Sequence, residues 1–162
     1  MLSILVGLPL IAGMACLFVS DSAARWIALV ATLVSLAIGV WLWGAYDPGG
    51  PQWQFVEHRD LGGGIAWALG IDGIALVLIM LTLFLMPICI GASWRAIERR
   101  VPEYMAAFLL MQALMVGVFV AQDLFLFYIF FEGGLIPMYL IIGVWGGAER
   151  IYASYKFFLY TL

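Results

Sequence analysis

The stretch "FYIFFEGGLIPMYLIIGVWGG", Phe127 to Gly147, is almost wholly apolar, yet it carries one carboxylate, Glu132. Two glycines follow it, Gly133 and Gly134, and Pro137 stands five residues on. A helix rises about 1.5 Å per residue, and about 20 apolar residues cross a bilayer core. The apolar run from Leu124 to Trp145 therefore reads as a membrane-crossing helix. Glu132 is its ninth residue and lies about 12 Å below one end. A charge at such depth costs about 2.5–3.5 kcal/mol on insertion scales, so it must find a partner, line a wet cavity or stay protonated.

The remainder of the chain has the same character. Of its 162 residues, 66% are hydrophobic and 10% charged, whereas a soluble domain is about half apolar and a quarter charged. Four further stretches read as spans: Leu2–Val19, Trp26–Tyr46, Ile74–Ser93 and Tyr104–Ala121. No Lys or Arg precedes Leu2, so the first reads as a retained span and not as a signal peptide. A sixth begins near Ile151 and has 12 residues up to Leu162, too few to cross, so the chain reads as part of a longer polypeptide. The fold class is all-α: one polytopic transmembrane bundle over residues 1–162, with five complete spans and a truncated sixth.

Most connections are short, as packed antiparallel spans require. The exception, residues 47–73, is rich in Pro and Gly, and the alternation Gln52-Trp53-Gln54-Phe55 suggests a short hairpin lying on the membrane surface. Arg25, Arg95, Arg99, Arg100 and Arg150 fall in the first, third and fifth loops; the other side holds only Arg59. The positive-inside rule puts those three loops in the cytoplasm. The N-terminus and the 47–73 loop then face outward.

A net charge of −3 without a basic patch excludes a nucleic-acid footprint. Cys16 and Cys89 lie in apolar runs, and His58 has no cysteine partner, so neither a metal site nor an iron–sulfur centre is expected. Glu132 is the only acidic or basic side chain within the five complete spans. Pro137 has no N–H for the carbonyl of Gly133, which predicts a kink beside the acid. Gly133 and Gly134 either allow close approach of a second backbone at a strained site or serve plain helix packing. Tyr128 and Tyr139 share the face of Glu132 and are candidates for holding water along it. Lys156 either snorkels to the cytoplasmic surface or marks an entrance for protons there. Asp72 and Asp123 precede spans as N-caps, and Gln112 sits mid-span, where an interhelical hydrogen bond is expected.

At "FFEGGLIPMYLIIGVWGG", followed by "RIYASYKFFLYTL", the chain resembles the chain 4 (bacterial subunit M) family of proton-pumping NADH:quinone oxidoreductase, respiratory complex I. "LGIDGIALVLIMLTLFLMPICIGASW" and "QDLFLFYIFFE" carry the same resemblance. It implies a membrane-arm subunit with about fourteen spans, in a bacterial inner membrane beside other membrane-arm subunits. It implies no cofactor in this chain, since NADH, FMN, iron–sulfur clusters and quinone belong to other subunits or their interfaces. It implies further that Glu132 matches a proton-relay glutamate paired with a lysine from a later span, beyond Leu162. A relay carboxylate must take up and release a proton as its surroundings change: burial favours the neutral acid, and a nearby ammonium favours the carboxylate.

Two other readings stay open from residues alone. One is a subunit of a multi-subunit cation/proton antiporter, which shares this ancestry but lacks redox coupling. The other is a non-conducting membrane scaffold in which Glu132 only fixes packing.

Overall fold

The computed structural model describes residues 1–162. Seven helices and one hairpin follow in order: α1 (Leu2–Cys16), α2 (Asp21–Ala45), β1 (Gln54–Gly62), β2 (Ile65–Ile71), α3 (Gly73–Ala92), α4 (Val101–Val120), α5 (Leu124–Gly133), α6 (Leu135–Trp145) and α7 (Arg150–Thr161). About 70% of the chain is helical. Three helices, α2, α3 and α4, and the α5–α6 pair taken together as Leu124–Trp145, have the length and apolarity to cross a membrane. The first helix is shorter than its apolar run suggests. Its 15 residues rise about 22 Å, less than the roughly 30 Å hydrocarbon thickness.

Lipid is as apolar as leucine, so these helices associate by close packing and not by escape from water. Small residues make that packing possible. A β-carbon on Gly13 would stand 3.3 Å from the Ala106 carbonyl oxygen, and one on Gly39 would stand 2.5 Å from Leu83 Cδ1. Ala24, Ala28 and Ala31 continue the seam on α2. Two apolar clusters result. One gathers Leu5, Ile79, Leu83, Val116 and Phe130 among others; the second gathers Cys16, Ala28, Ile90, Met105 and Leu109 among others. Large apolar side chains such as Phe18, Ile74, Phe84 and Leu124 point outward, as a lipid solvent allows.

The two bundle ends differ. At one, Arg25 donates to the carbonyl of Ile97 (3.0 Å), and Arg99 and Arg150 each donate to the carbonyl of Val144 at the end of α6 (3.3 Å). Two cations thereby satisfy a C-terminal carbonyl and oppose the helix dipole. At the other end sits the hairpin, antiparallel, with Arg59 opposite Trp67. Its turn uses three glycines at positive φ, Gly62, Gly63 and Gly64, a conformation that costs glycine little.

The expected hairpin forms, with β1 largely exposed and the second half of β2 packed against the end of the bundle. Residues Ala68 to Ile71 are buried, and Leu69 and Ile71 belong to the first apolar cluster. The backbone N–H of Gln122 donates to Ala68 (2.8 Å), tying β2 to the α4–α5 connection. Asp72 caps α3 by accepting from Ala75 N–H (2.7 Å), and Asp123 caps α5 by accepting from Phe125 (2.8 Å) and Leu126 (3.1 Å).

Candidate functional site

Helix α5 turns Leu126 and Phe130 into the bundle, and Gly133 faces the Leu114 side chain of α4. At 100° per residue these three share one stripe, and Glu132 points about 120° away from it. The acid is accordingly half-buried at the flank of α5. Two ion pairs occur in the molecule, Met1–Glu57 and Arg100–Glu103, and Glu132 takes part in neither. Its carboxylate makes no hydrogen bond with another side chain or with the backbone.

The helix is interrupted beside it. The chain leaves α5 at Gly133, makes a turn at Gly134 and resumes as α6 at Leu135. Gly134 keeps near-helical angles (φ −64°, ψ −21°), and its N–H donates to the Phe130 carbonyl (3.1 Å), so the span passes the break without a loop. Pro137 lies buried in the first turn of α6, where its missing N–H leaves the Gly133 carbonyl without its usual partner.

Of the other candidate residues, Tyr128 stands one turn before the acid on the same helix, whereas Tyr139 and Lys156 make contacts on and with α7. Tyr128, 58% exposed, projects from α5. Tyr139 packs its ring edge-on against Tyr155 (5.9 Å) and Phe158 (5.4 Å) of α7. Lys156 is exposed on α7, with its Nζ 5.7 Å from the ring centres of both Tyr152 and Tyr160, one turn away on either side. Gln112 is fully buried, and neither its Nε2 nor its Oε1 has a protein partner; the expected interhelical bond is not made. No group of three or more His, Cys, Asp or Glu side chains comes together.

A second polar cluster escaped the sequence reading. Glu57 of β1 reaches the first turn of α1, where Oε1 accepts from Leu2 N–H (2.7 Å) and from the Met1 ammonium (2.5 Å), and Oε2 accepts from Ser3 N–H (3.3 Å) and the Ser3 hydroxyl. Trp67 Nε1 donates to Ser3 Oγ (3.0 Å), and its ring stands edge-on to Phe130 at 5.9 Å. Partial burial opposes ionisation of Glu57, but the bonds from the ammonium and from Ser3 outweigh it and hold the carboxyl below its ordinary value. The hairpin thus satisfies the free N–H groups of the short helix and reaches Phe130, two residues from Glu132. Contacts 54 or more positions apart leave no local signal.

Apolar helices of membrane length, a core packed through small residues and an acid at span depth define a polytopic helical membrane protein. The chain belongs to the NADH-ubiquinone oxidoreductase chain 4 family, whose amino-terminal profile it matches over residues 1–122. Residues 121–162 match a second profile, NADH:quinone oxidoreductase/Mrp antiporter, TM. NADH-quinone oxidoreductase subunit M of Rhodobacter capsulatus is 53% identical over 168 residues, covering 99% of this chain and 33% of that one. NADH-ubiquinone oxidoreductase chain 4 of Arabidopsis thaliana is 45% identical over 167 residues, covering 99% and 34%. A chain of respiratory complex I from Thermus thermophilus with bound NADH superposes with a TM-score of 0.79 at 31% identity, over 99% of this chain and 32% of that one. This chain spans about a third of the length of these relatives.

Proposed function

We propose that the chain is the first part of a membrane-arm subunit of a proton-pumping NADH:quinone oxidoreductase in a bacterial inner membrane, and that Glu132 is a proton-relay carboxylate. The observation that carries this is Glu132 itself. It is the sole acidic or basic side chain of the five apolar stretches, and it turns a half-buried flank outward with no partner among residues 1–162. An acid at that depth is costly unless paired or hydrated. Relatives three times as long have the further chain from which a basic partner would come. Lys156 does not serve, because it sits on α7 between two tyrosines.

In this reading the acid gains a proton when the partner cation withdraws and gives it up when the cation returns. The two arrangements form an equilibrium that a remote redox reaction biases. NADH, flavin, iron–sulfur and quinone chemistry stays with other subunits. The match to the chain 4 profile over residues 1–122 supports this over an antiporter subunit, although the profile over residues 121–162 is common to both.

The test is Glu132→Gln in the full-length protein within its assembled complex. Glutamine keeps shape and hydrogen-bonding capacity but cannot titrate. NADH-driven quinone reduction and proton pumping are expected to fall to a small fraction of wild type. Wild-type pumping in the verified, assembled variant would make Glu132 a packing residue and this part of the subunit a scaffold.

A further inference from the structure

The two apolar clusters are separated by a polar layer. Along α4 the inward stripe runs Val101, Met105, Leu109, then Gln112, then Val116 and Val120. The first three belong to one cluster and the last two to the other. Along α2 it runs Ala24, Ala28, Ala31, then Ser35, then Leu42, divided between the same two clusters in the same order. The steps match: Ser35 follows Ala24 by eleven residues, as Gln112 follows Val101. The two helices run in the same direction, so Ser35 and Gln112 stand at one level, in the middle of the bundle. Thr32 on α2 and Thr82 at the midpoint of α3 are buried as well.

A count of donors shows what this layer lacks. Thr32 Oγ1 shares its one proton between the carbonyls of Ala28 (3.0 Å) and Leu29 (2.8 Å), Ser35 Oγ donates to Ala31 (2.9 Å), and Thr82 Oγ1 to Leu78 (3.0 Å). Each hydroxyl has one proton and spends it on its own helix, so only its lone pairs remain. Pro9 of α1 supplies no N–H to the Leu5 carbonyl, which adds another acceptor. Gln112 is fully buried with both amide atoms unpartnered. Its two N–H donors have hydroxyl oxygens to seek, but its oxygen finds no donor in the layer. Turning the amide over does not change the count. Because Gln112 is enclosed by residues 1–162, no other chain can reach it.

We propose that Gln112 holds a buried water molecule at mid-depth in the α1–α4 bundle, with Ser35 and Thr32 as the other flank of its site. Water is the small molecule that both donates to the amide oxygen and accepts from the amide N–H, and buried waters make about three such bonds. Ser35 is the smallest polar side chain on the facing stripe. The site is separate from Glu132, which faces away from the bundle.

A density map of the assembled complex with the full-length chain, at a resolution that shows ordered water, tests this. A solvent peak within hydrogen-bond distance of the Gln112 amide and of Ser35 Oγ or Thr32 Oγ1 is expected. Direct bonding of the Gln112 amide to a protein group, with no such peak, overturns the proposal. In Gln112→Leu the peak is expected to vanish; a peak that persists there overturns Gln112 as its ligand. The wild-type map decides the matter even where that variant does not assemble.

Discussion

The ring of Phe130 fills the space beside the α-carbon of Gly117: a β-carbon on Gly117 would stand 2.7 Å from the Cγ of that ring. This contact seats α5 on α4 two residues before Glu132. Replacing Gly117 by alanine gains about 1 kcal/mol of helix propensity but forces the ring or the helix to move, at about 1–3 kcal/mol. Gly117→Ala is expected to lower the thermal stability of the assembled protein and to slow pumping. Adding Phe130→Leu is expected to return part of the stability, giving a double variant less damaged than the sum of the two. Additive losses in thermal denaturation would show that the two sites are not coupled.

Glu57 makes the hairpin pH-sensitive. Its folded-state carboxyl is held below the ordinary value, so its stabilisation is full above the unfolded glutamate value and is lost as pH falls through the folded one. Hydrogen exchange of the hairpin amides, corrected for intrinsic rates, is expected to speed up more than that of α3 as pH falls below the ordinary glutamate value and through the folded one. Glu57→Gln is expected to remove this pH dependence and to cost about 1–2 kcal/mol in hairpin protection at neutral pH.

Arg59 and Arg99 report the orientation. Arg99 shares one end of the bundle with Arg25 and Arg150, and Arg59 lies in the hairpin at the other. By the positive-inside rule Arg59 is expected outside and Arg99 in the cytoplasm. A membrane-impermeant thiol reagent applied from outside is expected to label Arg59→Cys and to spare Arg99→Cys. The opposite pattern reverses the topology.

Pro137→Ala restores an N–H to the carbonyl of Gly133. The α5–α6 junction is expected to close into a continuous helix, and the complex to assemble but turn over more slowly. An unchanged rate would leave Pro137 a packing residue, consistent with its burial in α6.

The sequence alone determined four apolar segments long enough to cross a membrane, the caps and the single deep acid, because these rest on apolar length, local side-chain chemistry and counting. Leu124–Trp145 announces itself by composition, and Asp72 and Asp123 act within three residues of their own position. Tertiary structure decided the rest. Nothing local says that α1 stops after 15 residues and takes Glu57 as its cap from 55 positions away. Alternation at Gln52–Phe55 signals a strand but not that Leu69 and Ile71 of β2 join the first apolar cluster, since their helical partners lie far off in the sequence. A mid-span glutamine reads as an interhelical hydrogen bond, yet the neighbouring hydroxyls have already spent their protons on their own helices. Helical period fixes the face on which Glu132 stands. Which group meets it there depends on residues brought close only by folding, and residues 1–162 supply no partner.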